Sequence, residues 1–167
     1  MDEPFATPAD PTATTGTVLL ECHTLVRTYA HLRVRDPGAE ARLVASLAEV
    51  GQTSPVLVVR NADKRAVLID GYRRVRALDH LGRDTVHALE LGLCETDALM
   101  YCHRQETSRR RSALEDGWLL RELRAQGTTV RTIGEAMHRS PSWISRRLGL
   151  VHALPESVEE AVRRGVV

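Results

Sequence analysis

The sequence predicts an α+β domain followed by an all-helical one. Short apolar, β-branched runs alternate with helical periodicity in the first half, and no strand pattern follows residue 94. In the second half, two short amphipathic segments, 129–137 and 141–148, flank a three-residue gap and read as a helix-turn-helix.

Residues 1–16 (MDEPFATPADPTATTG) are Pro, Ala, Thr and acid, and read as a disordered leader. Thr17–Cys22 (TVLLEC) is apolar enough for a first strand. Arg35-Asp36-Pro37-Gly38 reads as a turn. From Ala39, the residues Leu43, Val44, Leu47 and Val50 recur at helical spacing until Gly51 stops them. Pro55–Arg60 and Ala66–Ile69 read as strands of a hairpin about Asn61-Ala62-Asp63. Asp70-Gly71 ends the second of these. A helix over Tyr72–Leu81 follows, and Gly82-Arg83-Asp84 leads into a strand over Thr85–Leu91.

Glu95 to about Arg109 reads as a helix, and Leu114, Trp118, Leu119 and Leu123 give the next one its apolar stripe before Gly127. In the paired segments, Ile133, Met137, Ile144 and Leu148 face inward. Gly134 is small where two helices must cross, and Ser140-Pro141 supplies an N-cap and first turn. The turn carries His138, where glycine is common. Leu154-Pro155-Glu156 breaks the chain before a last helix, Ser157–Arg164. The expected organisation is a leader 1–16, an α+β domain 17–94 and a helical domain 95–167.

Composition is globular, with 43% hydrophobic and 27% charged residues among 167. No apolar run approaches the roughly 20 residues of a membrane helix, and no secretory signal is visible. Three scattered cysteines, an odd number without CxxC spacing, point to a reducing, cytoplasmic setting. The net charge of +1 hides a polarised chain. Residues 104–147 carry 10 Arg and 5 Asp+Glu, a net of +5, and the remainder carries 13 against 17, a net of −4. A basic half with Arg109-Arg110-Arg111 ahead of a helix-turn-helix is the footprint of a DNA binder. On the second helix, Ser140, Ser142, Trp143, Ser145, Arg146 and Arg147 are left outside the apolar face. Arg146 is the candidate base or phosphate contact, and Ser140 and Ser142 are backbone-positioning groups. Trp143 either plugs the core or stacks at the surface.

A second constellation is Asp70-Gly71-Tyr72-Arg73-Arg74-Val75-Arg76-Ala77. A strand ends, a glycine follows, and a helix opens with three arginines in four residues. Helix N-termini favour phosphate, and Arg73 and Arg74 could fork onto its oxygens. A solvated basic helix face is the alternative reading of the same pattern.

Together these residues resemble the ParB family of chromosome and plasmid partition proteins, from about Leu25 onward. Gly71–Ala77 matches the family's GERRxRA box at every fixed position except the Glu, where Tyr72 stands. Ser46–Gly51 followed by Ser54–Arg60 resembles the preceding helix and the QP-led strand, with Ser54 in place of Gln. The helix-turn-helix and Leu154-Pro155-Glu156 are similar to the family's DNA-binding domain. The resemblance implies a ParB/sulfiredoxin-like N-terminal fold and a site for CTP with Mg²⁺. Its nucleotide contacts would come from Ser54, Gly71, Tyr72, Arg73, Arg74, Arg76 and Arg109. It further implies double-stranded DNA as partner, self-association into a clamp on nucleotide binding, and a partition ATPase. Sulfiredoxin-type reductase activity needs a Cys beside the glycine and is not expected with Tyr72.

The family's ENxxR box falls on Gln105-Glu106-Thr107-Ser108-Arg109. Gln105 replaces the Glu that would assist an attacking water, so the resemblance implies slow CTP hydrolysis. Glu106 brings a carboxylate next to that position and is a candidate for catalysis and for Mg²⁺. Asp70, acidic where the family has a small residue, either repels phosphate or ligates Mg²⁺. The chain stops where the family continues into a C-terminal dimerisation domain, so a monomer or weak self-associator is expected without ligand. The expected function is that of a CTP-binding, sequence-specific DNA-binding protein, nucleoid- or plasmid-associated. The alternatives are a nucleotide-independent transcriptional regulator, or a ParB-like nuclease or small-molecule kinase on the same fold.

Overall fold

The structure, a computed structural model, describes residues 14–105 and 111–166. Four strands, β1 (Thr14–Glu21), β2 (Val56–Arg60), β3 (Ala66–Asp70) and β4 (Thr85–Leu91), form one sheet in the order β1-β4-β2-β3. β1 runs antiparallel to β4, β3 antiparallel to β2, and β2 parallel to β4. Helix α1 (Pro37–Val50) precedes β2, and α2 (Tyr72–His80) crosses from β3 to β4. Five further helices follow: α3 (Glu95–Gln105), α4 (Ala113–Ala125), α5 (Val130–Met137), α6 (Pro141–His152) and α7 (Glu156–Arg163).

Burial explains the strand patterns. β3 is buried at four successive positions, Ala66 to Ile69, because it is covered on both faces, whereas β4 alternates exposed and buried from Thr85 to Ala88. The outer edge of β3 is closed by Val26, whose N–H donates to the Ala66 carbonyl and whose carbonyl accepts from Leu68 N–H, each at 2.9 Å. α3 buries Ala98, Leu99, Met100 and Cys102 in the apolar core that continues into the helical half through Leu119, Leu120, Ile133 and Ile144.

Several expectations are corrected. Thr14–Gly16, read as part of a leader, belong to β1, while residues 1–13 lie outside the described residues. Cys22, read as the end of the first strand, opens a 3-10 turn instead. The expected turn at Arg35–Gly38 is the start of α1: the Asp36 carboxylate accepts from Ala39 N–H at 2.9 Å and Pro37 occupies the first turn. α6 does not stop at Leu148 but runs through Gly149 to His152. There Val151 is buried against Gly117 of α4, at which an added Cβ would lie 2.5 Å from Val151 Cγ1. That contact outweighs the roughly 1 kcal/mol a mid-helix glycine costs. Gly134 does face α6, with an added Cβ 3.6 Å from Ile144 Cδ1, but the tighter constraint comes from the turn. The turn backbone returns over it, and its Cβ would sit 2.8 Å from the Arg139 carbonyl.

Three buried carboxylates organise the helical half. Glu115 completes a capping box with Ser112 and also accepts from Val34 N–H at 2.9 Å, tying α4 to the chain before α1. Asp116 faces α3 and α6. Glu159 of α7 accepts from Arg121 at 2.7 and 2.9 Å and from Arg163 at 2.9 Å. The Arg121 guanidinium holds the Glu159 carboxyl below its ordinary value against the opposing effect of burial. Among the described residues, no helix is long and apolar enough to cross a membrane.

His138 caps α5 in the left-handed region, at φ 52° and ψ 49°. A non-glycine residue there carries about 1–2 kcal/mol of strain, part of which glycine's chain entropy offsets. His138→Gly is therefore expected to raise stability by about 0.5–1 kcal/mol, or Tm by about 2–3 °C. A lower Tm in thermal melting would contradict this account of the turn.

Candidate functional site

The β3–α2 junction opens onto a cleft of about 420 Å³. It lies between α1, the loop ahead of β2, the start of α2 and the end of α3. Of the residues singled out in the sequence, Ser54, Asp70, Gly71, Tyr72, Arg73, Arg74, Arg76 and Gln105 all line it. Glu106 and Arg109 lie outside the described residues.

Gly71 makes the junction possible. It is the N-cap of α2 with φ 105°, and a Cβ there would come within 2.5 Å of Val56 Cγ1. Both the backbone angle and the space therefore demand glycine. The consequence is an α2 N-terminus whose first N–H groups and positive dipole end face the cleft. Tyr72 contributes its backbone there but turns its side chain into the core. Its hydroxyl donates to the Leu68 carbonyl at 2.6 Å and accepts from Tyr29 N–H at 3.2 Å, and burial pushes its pKa up.

The arginines divide by role. Arg73 is half-buried on the cleft wall. Arg74 donates to the carbonyls of Ser54 and Pro55 and reaches Asp70 at 3.5 Å, so it braces the loop ahead of β2. Gln52 holds the same loop from its other side, exchanging bonds with the His87 backbone at 2.7 and 2.8 Å. Arg76 is bound to Glu40 of α1 at 2.6 Å, and Arg35 meets the same carboxylate at 2.9 Å. Burial alone would raise the Glu40 pKa, but the Arg35 and Arg76 guanidiniums outweigh it and hold the carboxyl below its ordinary value.

Arg33 is a wall residue the sequence reading missed. It approaches Asp70 at 4.0 Å from the 3-10 segment Thr28–Leu32 that precedes it. No periodicity marks that segment, so nothing local pointed to Arg33. Among the described residues the cleft wall carries four arginines and one carboxylate, Asp70. Such a wall suits a multiply charged anion. A divalent cation shared with phosphate oxygens needs a carboxylate at the same place, and Asp70 can supply it. Among the described residues, no three His, Cys, Asp or Glu side chains gather into a metal cluster.

The pair α5–α6 presents the second candidate surface. The Ser140 hydroxyl caps α6 by accepting from Trp143 N–H at 3.2 Å. Ser142, Ser145 and Arg146 are exposed, and Arg146 makes no ion pair with any described residue. Trp143 is half-buried, with the Arg139 and Arg147 guanidiniums over its ring at 4.8 and 5.2 Å. Arg147 turns towards α4, where it meets Asp116 at 3.6 Å, and Asp116 also accepts from His103 of α3 at 3.1 Å. Of the two arginines singled out on this helix, Arg146 is the one that faces outward.

The sequence matches the ParB N-terminal domain family over residues 10–102. In fold the chain is similar to the C-terminally truncated chromosome-partitioning protein ParB from Caulobacter crescentus complexed with CTP-γ-S. That similarity has 23% identity, a TM-score of 0.50, and coverage of 88% of this chain and 84% of the other. It is also similar to a Pnob8-like ParB-N domain, with 16% identity, a TM-score of 0.53, and coverage of 83% and 70%. No curated protein sequence matches the chain.

The Glu40–Arg76 pair fixes α1 to α2 behind the cleft, and the Glu40 carboxylate has a pH signature. A carboxyl whose pKa is depressed on folding contributes stability above its ordinary value and loses it as pH falls through the depressed one. Glu40→Gln should lower the unfolding free energy by about 1 kcal/mol at pH 7. The gap to wild type should narrow in urea titrations as pH falls below the ordinary carboxylate range. A gap that does not change with pH would contradict the ion-pair account.

Proposed function

This chain belongs to the ParB N-terminal domain family, and on that premise we propose that it is a CTP-binding, sequence-specific DNA-binding protein of the ParB type. The observation that carries the reading is the β3–α2 junction. Gly71 exposes the α2 N-terminus to a cleft walled by Arg33, Arg73, Arg74 and Arg76. The Caulobacter protein of similar fold was crystallised with CTP-γ-S, which supports CTP as the nucleotide.

The residues take distinct parts in this reading. The N–H groups at the start of α2 and Arg73 grip the phosphates. Arg74 fixes the Ser54–Pro55 edge against which the nucleotide lies, and Arg76 anchors α2 to α1. Mg²⁺, when bound, offsets phosphate charge, with Asp70 as its ligand from the described residues. Gln105, at the end of α3, orients a water but cannot take its proton, so turnover is slow.

DNA is read by α5–α6 acting as a helix-turn-helix. α6 enters the major groove with Ser142, Ser145 and Arg146 outward, while Arg147 and Trp143 stiffen the helix from behind. The nuclease and kinase alternatives gain no observation in their favour.

Calorimetry with CTP and Mg²⁺ tests the nucleotide half. Arg73→Ala should weaken binding by about tenfold or more, the loss of a charge-assisted contact. Arg74→Ala should abolish binding through the loop it braces. Full affinity in both variants would place the site elsewhere, and persistent DNA binding without any nucleotide binding would favour a nucleotide-independent regulator. For the DNA half, Arg146→Ala should cost about 1–3 kcal/mol of specific binding if Arg146 forks onto guanine. An unchanged affinity at moderate salt would overturn that assignment.

A further inference from the structure

The acidic residue at the mouth of the cleft has no part in gripping phosphate, and its placement points to a control device. Asp70 is the last residue of β3 and the one carboxylate among the described residues of the cleft wall. It reaches Arg33 at 4.0 Å and Arg74 at 3.5 Å. Its side chain is 40% exposed, while those of Arg33 and Arg74 are 17% and 25% exposed. The carboxylate is thus the most solvent-accessible of the three charged groups. It also immediately precedes Gly71, so an anion at the α2 N-terminus is held within a few ångströms of it.

We propose that Asp70 is a built-in counter-charge that makes nucleotide binding conditional on a divalent cation. The inference rests on the CTP-site reading above. In the cation-free cleft, Asp70 pairs with Arg74 at 3.5 Å, lies 4.0 Å from Arg33, and repels an incoming polyphosphate. A divalent cation reverses the sign of that contribution. The same carboxylate would then help to hold that cation, its charge no longer set against the phosphates, while Arg74 keeps its hold on the Ser54 and Pro55 carbonyls. Without that carboxylate, the α2 N-terminus and Arg73 would attract a nucleotide with or without the cation, and Asp70 removes that indifference.

The test is calorimetry with CTP at fixed ionic strength, in EDTA and in Mg²⁺, on the whole chain. Asp70→Asn keeps the shape and removes the charge. Wild type should bind at least tenfold more tightly in Mg²⁺ than in EDTA. In EDTA, Asp70→Asn should bind about tenfold more tightly than wild type, and its Mg²⁺ dependence should fall to about twofold. Asp79→Asn serves as control: Asp79 pairs with Arg27 outside the cleft, and its removal should leave the Mg²⁺ ratio at the wild-type value. Asp70→Ser replaces Asp70→Asn if melting shows the latter unfolded. A Mg²⁺ ratio in the Asp70 variant equal to that of wild type overturns the proposal while leaving the CTP site standing, as does weaker binding in EDTA. No CTP binding by wild type in Mg²⁺ removes the site reading and the proposal together.

Discussion

The approach of Gly71 to Val56 is the constraint on which the site depends. β3 and β2 are adjacent antiparallel strands, and α2 must leave the end of β3 directly over β2. A side chain at position 71 would collide with Val56, and a φ of 105° is one that L side chains rarely adopt. Glycine at this one position therefore decides that α2 starts inside the sheet's end rather than a turn further out. Everything chemical follows from that start. Asp70 and Arg73 flank the junction, Arg74 reaches back to the loop ahead of β2, and Arg76 reaches α1. The cleft is what remains between these tethers.

The helical half shows how charge counted along a chain differs from charge presented to a partner. The stretch from 104 to 147 has a net of +5, yet several of its arginines are engaged within the protein. Arg121 meets Glu159, Arg131 meets Glu135, Arg147 meets Asp116, and Arg124 donates to the Thr128 carbonyl. The buried acids Glu115, Asp116 and Glu159 belong to helix capping and helix packing. Arg146 stays outside this network, so the outward face of α6 is defined by what the network leaves unused. His103 and Asp116 also join α3, which reaches the cleft with Gln105, to α4 and, through Arg147, to α6.

Legibility in the sequence followed the range of the forces involved. β4 was readable residue for residue because the Gly82-Arg83-Asp84 turn that starts it is a local signal, and β2, β3 and α2 were readable to within a residue. The junction box was readable because Gly71 and its arginines are contiguous. Other features depend on residues far apart in sequence. Arg33 arrives from an aperiodic 3-10 segment, and its meeting with Asp70 is set by the fold. The extension of α6 depends on Gly117 admitting Val151. Tyr72 sits in the junction-box sequence but answers to Leu68 and Tyr29, and Arg147 sits on the outward run of α6 but answers to Asp116.

The central claim is that the β3–α2 junction holds the triphosphate. Backbone amide shifts in an NMR titration with CTP and Mg²⁺, followed by ATP, GTP and UTP in separate titrations, test it most directly. The account predicts saturable shifts with CTP, largest at Ser54, Gly71, Tyr72 and Arg73, with smaller changes for the other three nucleotides. Shifts centred on α5–α6 with Gly71 and Arg73 unmoved, or no saturable shifts with any nucleotide, would contradict it.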